Sequence, residues 1–365
     1  MATGHTIGVE EEFQLVDATT LGLADRPEVV AAAEELLGDR AQGEISTSQL
    51  ETGTEVCTTL GEVRAELLRL RAGAAQAAEQ HGAQILAAGT HPTAHWRQQR
   101  LTAGVRYLEL VERWGLLALQ QMITGCHVHV GVDDPETAVQ LLGHLRADLP
   151  VLLALSGSSP FWESSDTGYA SYRTLWYARW PVTGSPEVFA DRAEYDATVA
   201  QLVAAGIVDD ASHLYWDARP STRYPTVEVR VADTMPLVDD VVLHAGLARS
   251  LVRRSAAAAV RGEQEPQVRT EVVRAARWRA ARYGLEDTLL DLRTGEQRPA
   301  ADVVRSLLAA SRDDLEDAGE WDEVSALAEQ ALARGTSAAR QRAVLERTGE
   351  LDDVVRLLLE ETARG

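Results

Sequence analysis

Two carboxylates spaced for one strand face open the chain: Glu10 and Glu12, within Thr6-Ile7-Gly8-Val9-Glu10-Glu11-Glu12-Phe13-Gln14-Leu15-Val16-Asp17. Ile7, Val9, Phe13 and Leu15 alternate with Glu10, Glu12 and Gln14, a period of two that predicts a β-strand with one apolar face. Only Glu11 falls on the apolar side. Two carboxylates aimed the same way, about 7 Å apart along such a strand, gather negative charge that a hard divalent cation such as Mg²⁺ or Mn²⁺ would offset. The plainer reading is an edge strand with a solvated acidic face.

Three further segments repeat the pattern. In Met122–Val132, Cys126, Val128, Val130 and Val132 form an apolar face opposite Gly125, His127, His129 and Gly131. A His-x-His pair framed by glycines favours a metal or phosphate site over a pair of hydrogen-bonded core histidines. Thr226–Asp233 turns Val227, Val229 and Val231 inward and Glu228 with Arg230 outward. That acid and arginine fit a cross-strand ion pair, or a metal ligand beside a phosphate clamp. In Glu44–Cys57, Glu51 lies between Gln49 and Gly53 on one face, whereas Glu44 has the wrong parity for the same flat strand. A bend or bulge near Ser46–Ser48 is needed to bring both acids to one place.

Composition restricts the chemistry. All 35 basic residues are arginine, and the chain has neither lysine nor asparagine. A Walker lysine, a Schiff base, a nucleotidyl-lysine and a carbamylated lysine are therefore excluded, so phosphate handling would fall to arginine, metals and backbone N–H groups. The formal charge of −21 argues against nucleic-acid or anionic-membrane partners. Cys57 and Cys126 lie on apolar strand faces and read as buried thiols rather than a disulfide framework. With no apolar leader before the first strand and no membrane-length apolar run, the expectation is a cytoplasmic protein.

The elements that must position these residues alternate along the first two thirds. Helices are expected at 27–38, 60–82, 104–121, from Asp133 or Asp134 to about Leu155, and at 187–205. Residues 156–185 read as a long functional loop, and Ser212–Arg219 with Thr226–Asp233 as a strand pair. From about Leu237 onward the pattern is helical without a strand signal, and 263–270 is the one credible linker. The expected division is a catalytic core over 1–262 and a helical C-terminal region over 263–365, packed as one structural domain. Val354, Val355, Leu357, Leu358 and Leu359 make a tail stripe wide enough to need covering, by the core or by a second subunit of a homodimer.

Gly8-Val-Glu-Glu-Glu-Phe-x-Leu-Val-Asp17, Gly125-Cys-His-Val-His-Val-Gly131 and Tyr215-Trp-Asp-Ala-Arg-Pro…Thr226-Val-Glu-Val-Arg-Val-Ala-Asp233 together resemble the glutamate–cysteine ligase type 2 family, the carboxylate–amine ligases of the glutamine-synthetase-like superfamily. Trp278-Arg-Ala-Ala-Arg-Tyr-Gly-Leu285 is similar to that family's late helical motif, with Ala276 where relatives usually carry Asn. The resemblance covers about residues 5 to 290. It implies an α+β fold, a curved antiparallel sheet around an ATP and metal site with helices on its outer face.

By motif match it also implies Glu10, Glu12, Glu44, Glu51, His127 and Glu228 as ligands for Mg²⁺ or Mn²⁺. It assigns His129, Arg230 and Arg282 to ATP, with Glu228 and Arg230 catalytic, and Tyr172, Arg173 and Arg179 to an amino-acid substrate. The implied reaction joins a carboxylate, by default the glutamate γ-carboxylate, to an amine, by default L-cysteine, through an acyl phosphate. The alternatives are a metal-dependent amidohydrolase, suggested by His-x-His but wanting a carbamylated lysine and β/α units, and a catalytically silent binding member.

Overall fold

A computed structural model describes residues 6–102 and 104–364. Seven strands make the main sheet: β1 (Ile7–Asp17), β2 (Ala41–Gly43), β3 (Gln49–Gly53), β4 (Ala83–Leu86), β5 (Gly125–Gly131), β6 (Ala218–Pro220) and β7 (Thr226–Asp233). Their order is β6-β7-β5-β1-β3-β2, with β4 also paired to β1, and every pair is antiparallel. An antiparallel sheet rules out the alternating β/α barrel that an amidohydrolase reading would need.

β1 is the hub. Ile7–Glu11 pairs with β5, Glu10–Gln14 with β3, and Gln14–Asp17 with β4. Ile7, Val9, Val128, Val130, Val227 and Val229 all enter one buried core with the helices Leu60–Gln80, Pro135–Leu145, Leu149–Ser156 and Val238–Val260. The helices therefore cover one face of the sheet and leave the polar face free. Glu11, the intruder on the apolar side, is fully buried and forked by Arg71, with Nη2 to Oε1 at 2.5 Å and Nε to Oε2 at 3.1 Å. Arg71 Nη2 also donates to the Met235 carbonyl at 2.8 Å. A buried acid is tolerable only with its partner in place, so this pair fixes β1 against the helix Leu60–Gln80 and the chain leaving β7.

Several expectations are corrected. Residues 104–121 form two helices, Val105–Trp114 and Leu116–Leu119, because Gly115 takes a left-handed φ of 56°. The Pro135 helix ends at Leu145, and a second helix, Leu149–Ser156, starts at 71° to it with Pro150 in its first turn. The loop at 156–185 holds a helix, Tyr172–Tyr177, capped by the Ser171 hydroxyl, and the next helix begins only at Arg192, capped by Asp191. The C-terminal third is not purely helical: Thr288–Asp291 and Glu296–Pro299 form a hairpin. Its turn rests on Asp291 Oδ1, which accepts from the Arg293 and Thr294 N–H groups, and on Gly295 at φ 77°.

Residues on both sides of 263–270 share the main core, including Val241, Ala280, Val303 and Val324. The tail stripe is covered by this chain itself: Val355 and Leu358 pack on Val16, Leu21 and Leu86, and Val354 on Phe161 and Val344. It supplies no argument for a second subunit. Among the described residues no single helix is long and apolar enough to cross a membrane.

Candidate active site

Register explains how the polar face becomes a site. Glu10 pairs with His127 across β1–β5, Glu12 with Glu51 across β1–β3, Glu228 with His129 across β7–β5, and Arg219 with Glu228 across β6–β7. Because side chains at paired positions share a face, five strands deliver acids, imidazoles and arginines to one place. Glu44 joins them, since β2 and β3 are separate strands and the chain bends between Gly43 and Gln49. The bend that parity demanded is present. Glu10, Glu12, Glu44, Glu51, His127, His129, Glu228 and Arg230 all line one cavity of ≈ 1000 Å³. Its floor is kept bare by glycine: a Cβ at Gly8 would touch His129 and Thr54, and one at Gly53 would touch Glu10, each at 3.9 Å.

One half of the cavity is internally paired. His127 Nδ1 and His129 Nε2 each lie 3.3 Å from a Glu10 oxygen, and His129 Nδ1 lies 3.0 Å from the Thr226 hydroxyl. Glu228 is held by two guanidinium groups, Arg230 through Oε1 and Arg219 Nε through Oε2 at 3.0 Å. Arg230 Nη2 donates to the Tyr177 hydroxyl at 3.3 Å. Burial pushes the Glu228 carboxyl up, but Arg230 and Arg219 outweigh it and hold the group well below its ordinary value. Burial likewise opposes ionisation of Glu10, which its hydrogen bonds to His127 and His129 overcome. Burial, then Arg230, lower His127 to about 4; burial also weighs on His129, but the Glu10 hydrogen bond and the charges of Glu10 and Glu228 together outweigh it and raise that imidazole.

The other half is crowded. Burial and then Glu44 raise Glu12 to about 7, against the weaker pull of Arg173 and of the Gly125 N–H, which donates to Glu12 Oε2 at 2.5 Å. Glu51 is raised well above the ordinary carboxylate range by burial, then by Glu44, Glu10 and Glu12, although Gln42 Nε2 donates to its Oε1 at 2.8 Å. Carboxylate oxygens of Glu12, Glu44 and Glu51 lie within 4.8 Å of one another, as do carboxylate oxygens of Glu10 and Glu228 and a ring nitrogen of His129. The first triad is all carboxylate and short of positive charge, a donor set that fits a hard divalent cation.

Four residues expected at the site do not line the cavity. Arg173 is 3% exposed and lies against Gly125, on the face of β5 that carries His127 and His129, with its guanidinium 5.2 Å from the Tyr177 ring. A side chain at 125 would displace that guanidinium, since a Cβ there would overlap its Nη2. Arg179 stacks on Trp176 at 4.0 Å and donates to Gln120 Oε1. Tyr172 packs with Trp162 and Tyr169, and Arg282 lies over Tyr169 and Tyr283. The sequence reading missed Arg219 and Tyr177, both in the cavity wall. The hairpin count from Glu228 back to Arg219 carried the first signal; nothing local marked the second.

Comparison with known proteins gives the class. The fold aligns with the crystal structure of glutamate–cysteine ligase from Francisella tularensis in complex with AMP, at TM-score 0.73 over 99% of this chain and 89% of that one. At 13% identity that likeness concerns the fold alone. Residues 6–357 match the model of glutamate–cysteine ligase family 2, so the chain belongs to that family of carboxylate–amine ligases. A Mycolicibacterium smegmatis protein named "Putative glutamate--cysteine ligase 2-2" is 44% identical over 99% of this chain and 91% of its own length. A relative from Frankia casuarinae is longer: at 42% identity, 98% of this chain spans 41% of it.

Proposed function

We propose that the protein joins an amino-acid carboxylate, that of the glutamate γ-position, to an amine, L-cysteine, with ATP as the phosphoryl donor. The γ-phosphoryl group passes to a carboxylate oxygen and ADP leaves. The amine nitrogen then attacks the acyl carbon, phosphate departs, and the nitrogen gives up a proton as the amide forms. The observation that carries the reading is the charge-starved triad Glu12, Glu44 and Glu51 facing Arg230 across the same cavity.

Mg²⁺ or Mn²⁺ held by the triad, by the Glu10 and Glu228 carboxylates and by the His127 imidazole would supply counter-charge for the nucleotide phosphates and the developing oxyanion. What the chain's own residues do follows from their contacts. Glu228 and the Tyr177 hydroxyl fix the Arg230 guanidinium, which can then meet an anionic phosphoryl group with two N–H bonds. Arg219 holds the far oxygen of Glu228, so Arg230 keeps part of its charge for a ligand. Glu10 and His129 hold each other beside the bare floor at Gly8 and Gly53. Tyr172, Arg179 and Arg282 have no part in this reading because they lie outside the cavity wall. Free, buried Cys57 and Cys126 accord with a reducing cytoplasm, where ATP is abundant. Light scattering on the full chain would test the homodimer.

The test is ADP release with Mg²⁺ and glutamate across a panel of amino acids and amines. Turnover stimulated by cysteine supports the reading, and stimulation by another amine keeps the ligase and changes the acceptor. No stimulation by any acid–amine pair identifies a catalytically silent binding member.

A further inference from the structure

Arg230 is placed by a structural device that begins 13 residues upstream, at Asp217, in the Tyr215-Trp-Asp-Ala-Arg-Pro220 segment. β7 bulges: Val229 pairs with Val128 of β5 and Ala232 with Cys126, so the β5 ladder skips Arg230. On the other side, Ala218 pairs with Val229, and the Arg230 N–H donates to the Asp217 carbonyl at 2.7 Å. That rung is the backbone hold on Arg230 at the bulge.

Asp217 is itself held from three directions. Its N–H donates to the Gly184 carbonyl at 2.8 Å, and Ser185 Oγ donates to Oδ2 at 3.4 Å. Its carboxylate takes a fork from Arg277, Nε to Oδ2 at 2.7 Å and Nη2 to Oδ1 at 3.0 Å. Asp217 is 1% exposed and Arg277 is 9% exposed. Arg277 stands on the helix Thr270–Tyr283, directly before the Trp278-Arg-Ala-Ala-Arg-Tyr-Gly motif, none of whose residues line the cavity. A planar two-point fork fixes orientation as well as distance.

We propose that Arg277 and Asp217 are a positioning pair: the late helix reaches through their fork to the bulge and sets the aim of Arg230. The inference rests on the ligase reading for the meaning of Arg230, though not for the geometry. It also gives the late helical segment a role that its distance from the cavity otherwise leaves open.

The test uses the full chain and the variants Arg277→Lys, Asp217→Asn, Arg230→Lys and Arg230→Lys/Arg277→Lys. The readouts are thermal unfolding, and kcat and KM for ATP from ADP release. Lysine at 277 keeps the charge but not the fork, and a displacement of about 1 Å at a reacting group costs about 10²-fold in rate. The expected result is a folded Arg277→Lys protein with kcat down about 10²-fold and KM for ATP little changed. In the Arg230→Lys background the same change should cost less than about twofold, since its route of action is already gone. An unchanged kcat in folded Arg277→Lys, or a loss that multiplies in full in the Arg230→Lys background, overturns the proposal. Should Arg277→Lys fail to fold, Asp217→Asn decides on the same readouts; failure of both to fold makes the pair structural and overturns it too. An inactive wild type would sink the ligase reading instead. The crystal structure of Arg277→Lys then settles the pair, by whether Arg230 has left Glu228 and Tyr177 or kept both.

Discussion

The two halves of the cavity use the same residue type to opposite ends. Glu10 and Glu228 sit among His127, His129, Arg219 and Arg230 and are held ionised. Glu12 and Glu51 sit among other carboxylates and are pushed towards the protonated form. Burial is severe on both sides, so the supply of positive charge decides. The crowded half gains most by importing a cation, whereas the paired half also has arginine charge to offer an anion. Phosphoryl transfer to a carboxylate needs both in one cavity.

Removing an acid from the crowded half should have the largest effect. Glu12→Gln is expected to lower ADP release by about 10³-fold while raising the thermal midpoint of the metal-free protein, because a repelling charge is gone. A destabilised Glu12→Gln protein in EDTA would break the contrast between the halves. In the paired half, Arg230→Lys should lose about 10²-fold in kcat with the fold intact, since a point charge cannot replace a planar fork. Full turnover would reduce Arg230 to an ion-pair partner of Glu228.

The pH dependence sharpens the comparison. In metal-free protein the protonated Glu12 contributes stability that is complete below its ordinary 4.5 and is lost as pH rises through about 7. Neutral buried His127 works the other way: its contribution is present above 6.5 and lost as pH falls through about 4. The opposed signs make raw stability a poor readout, and the metal-dependent part a clean one. Mg²⁺ must displace protons from the crowded half, so the Mg²⁺-induced rise in melting temperature should grow from pH 6 to pH 8 and flatten in Glu12→Gln. The smallest effect is expected outside both halves: Arg179→Ala, which removes a ring stack and a bond to Gln120, should change kcat and KM by less than about twofold. A large rise in KM for the amino acid would bring Arg179 back to the substrate.

Much of the site was legible because it lies on long strands. Period two placed Glu10, Glu12, His127, His129, Glu228 and Arg230 on one face without reference to any partner strand, and parity alone demanded the bend before Glu51. What escaped depends on pairing between distant segments. Arg219 enters by cross-strand register with Glu228, Tyr177 through a short helix inside a presumed loop, and Asp217 through a fork from a helix 60 residues away. The bulge at Arg230 leaves no trace in the alternation Val227, Val229, Val231. The hairpin at Thr288–Pro299 was missed because four-residue strands are too short to show a period. Residues recognised by motif alone lie elsewhere than those read by geometry: Tyr172, Arg173, Arg179 and Arg282 do not line the cavity.

Mn²⁺ binding to the full chain tests the central contrast most directly, because it needs neither substrate nor turnover. Titration at pH 8, followed by calorimetry or by loss of the free-ion paramagnetic signal, should show saturable binding that Glu12→Gln and Glu51→Gln each weaken by at least about tenfold, while Arg179→Ala leaves it unchanged. Wild-type protein that takes up no Mn²⁺, or glutamine variants that bind it as tightly as wild type, would contradict the account.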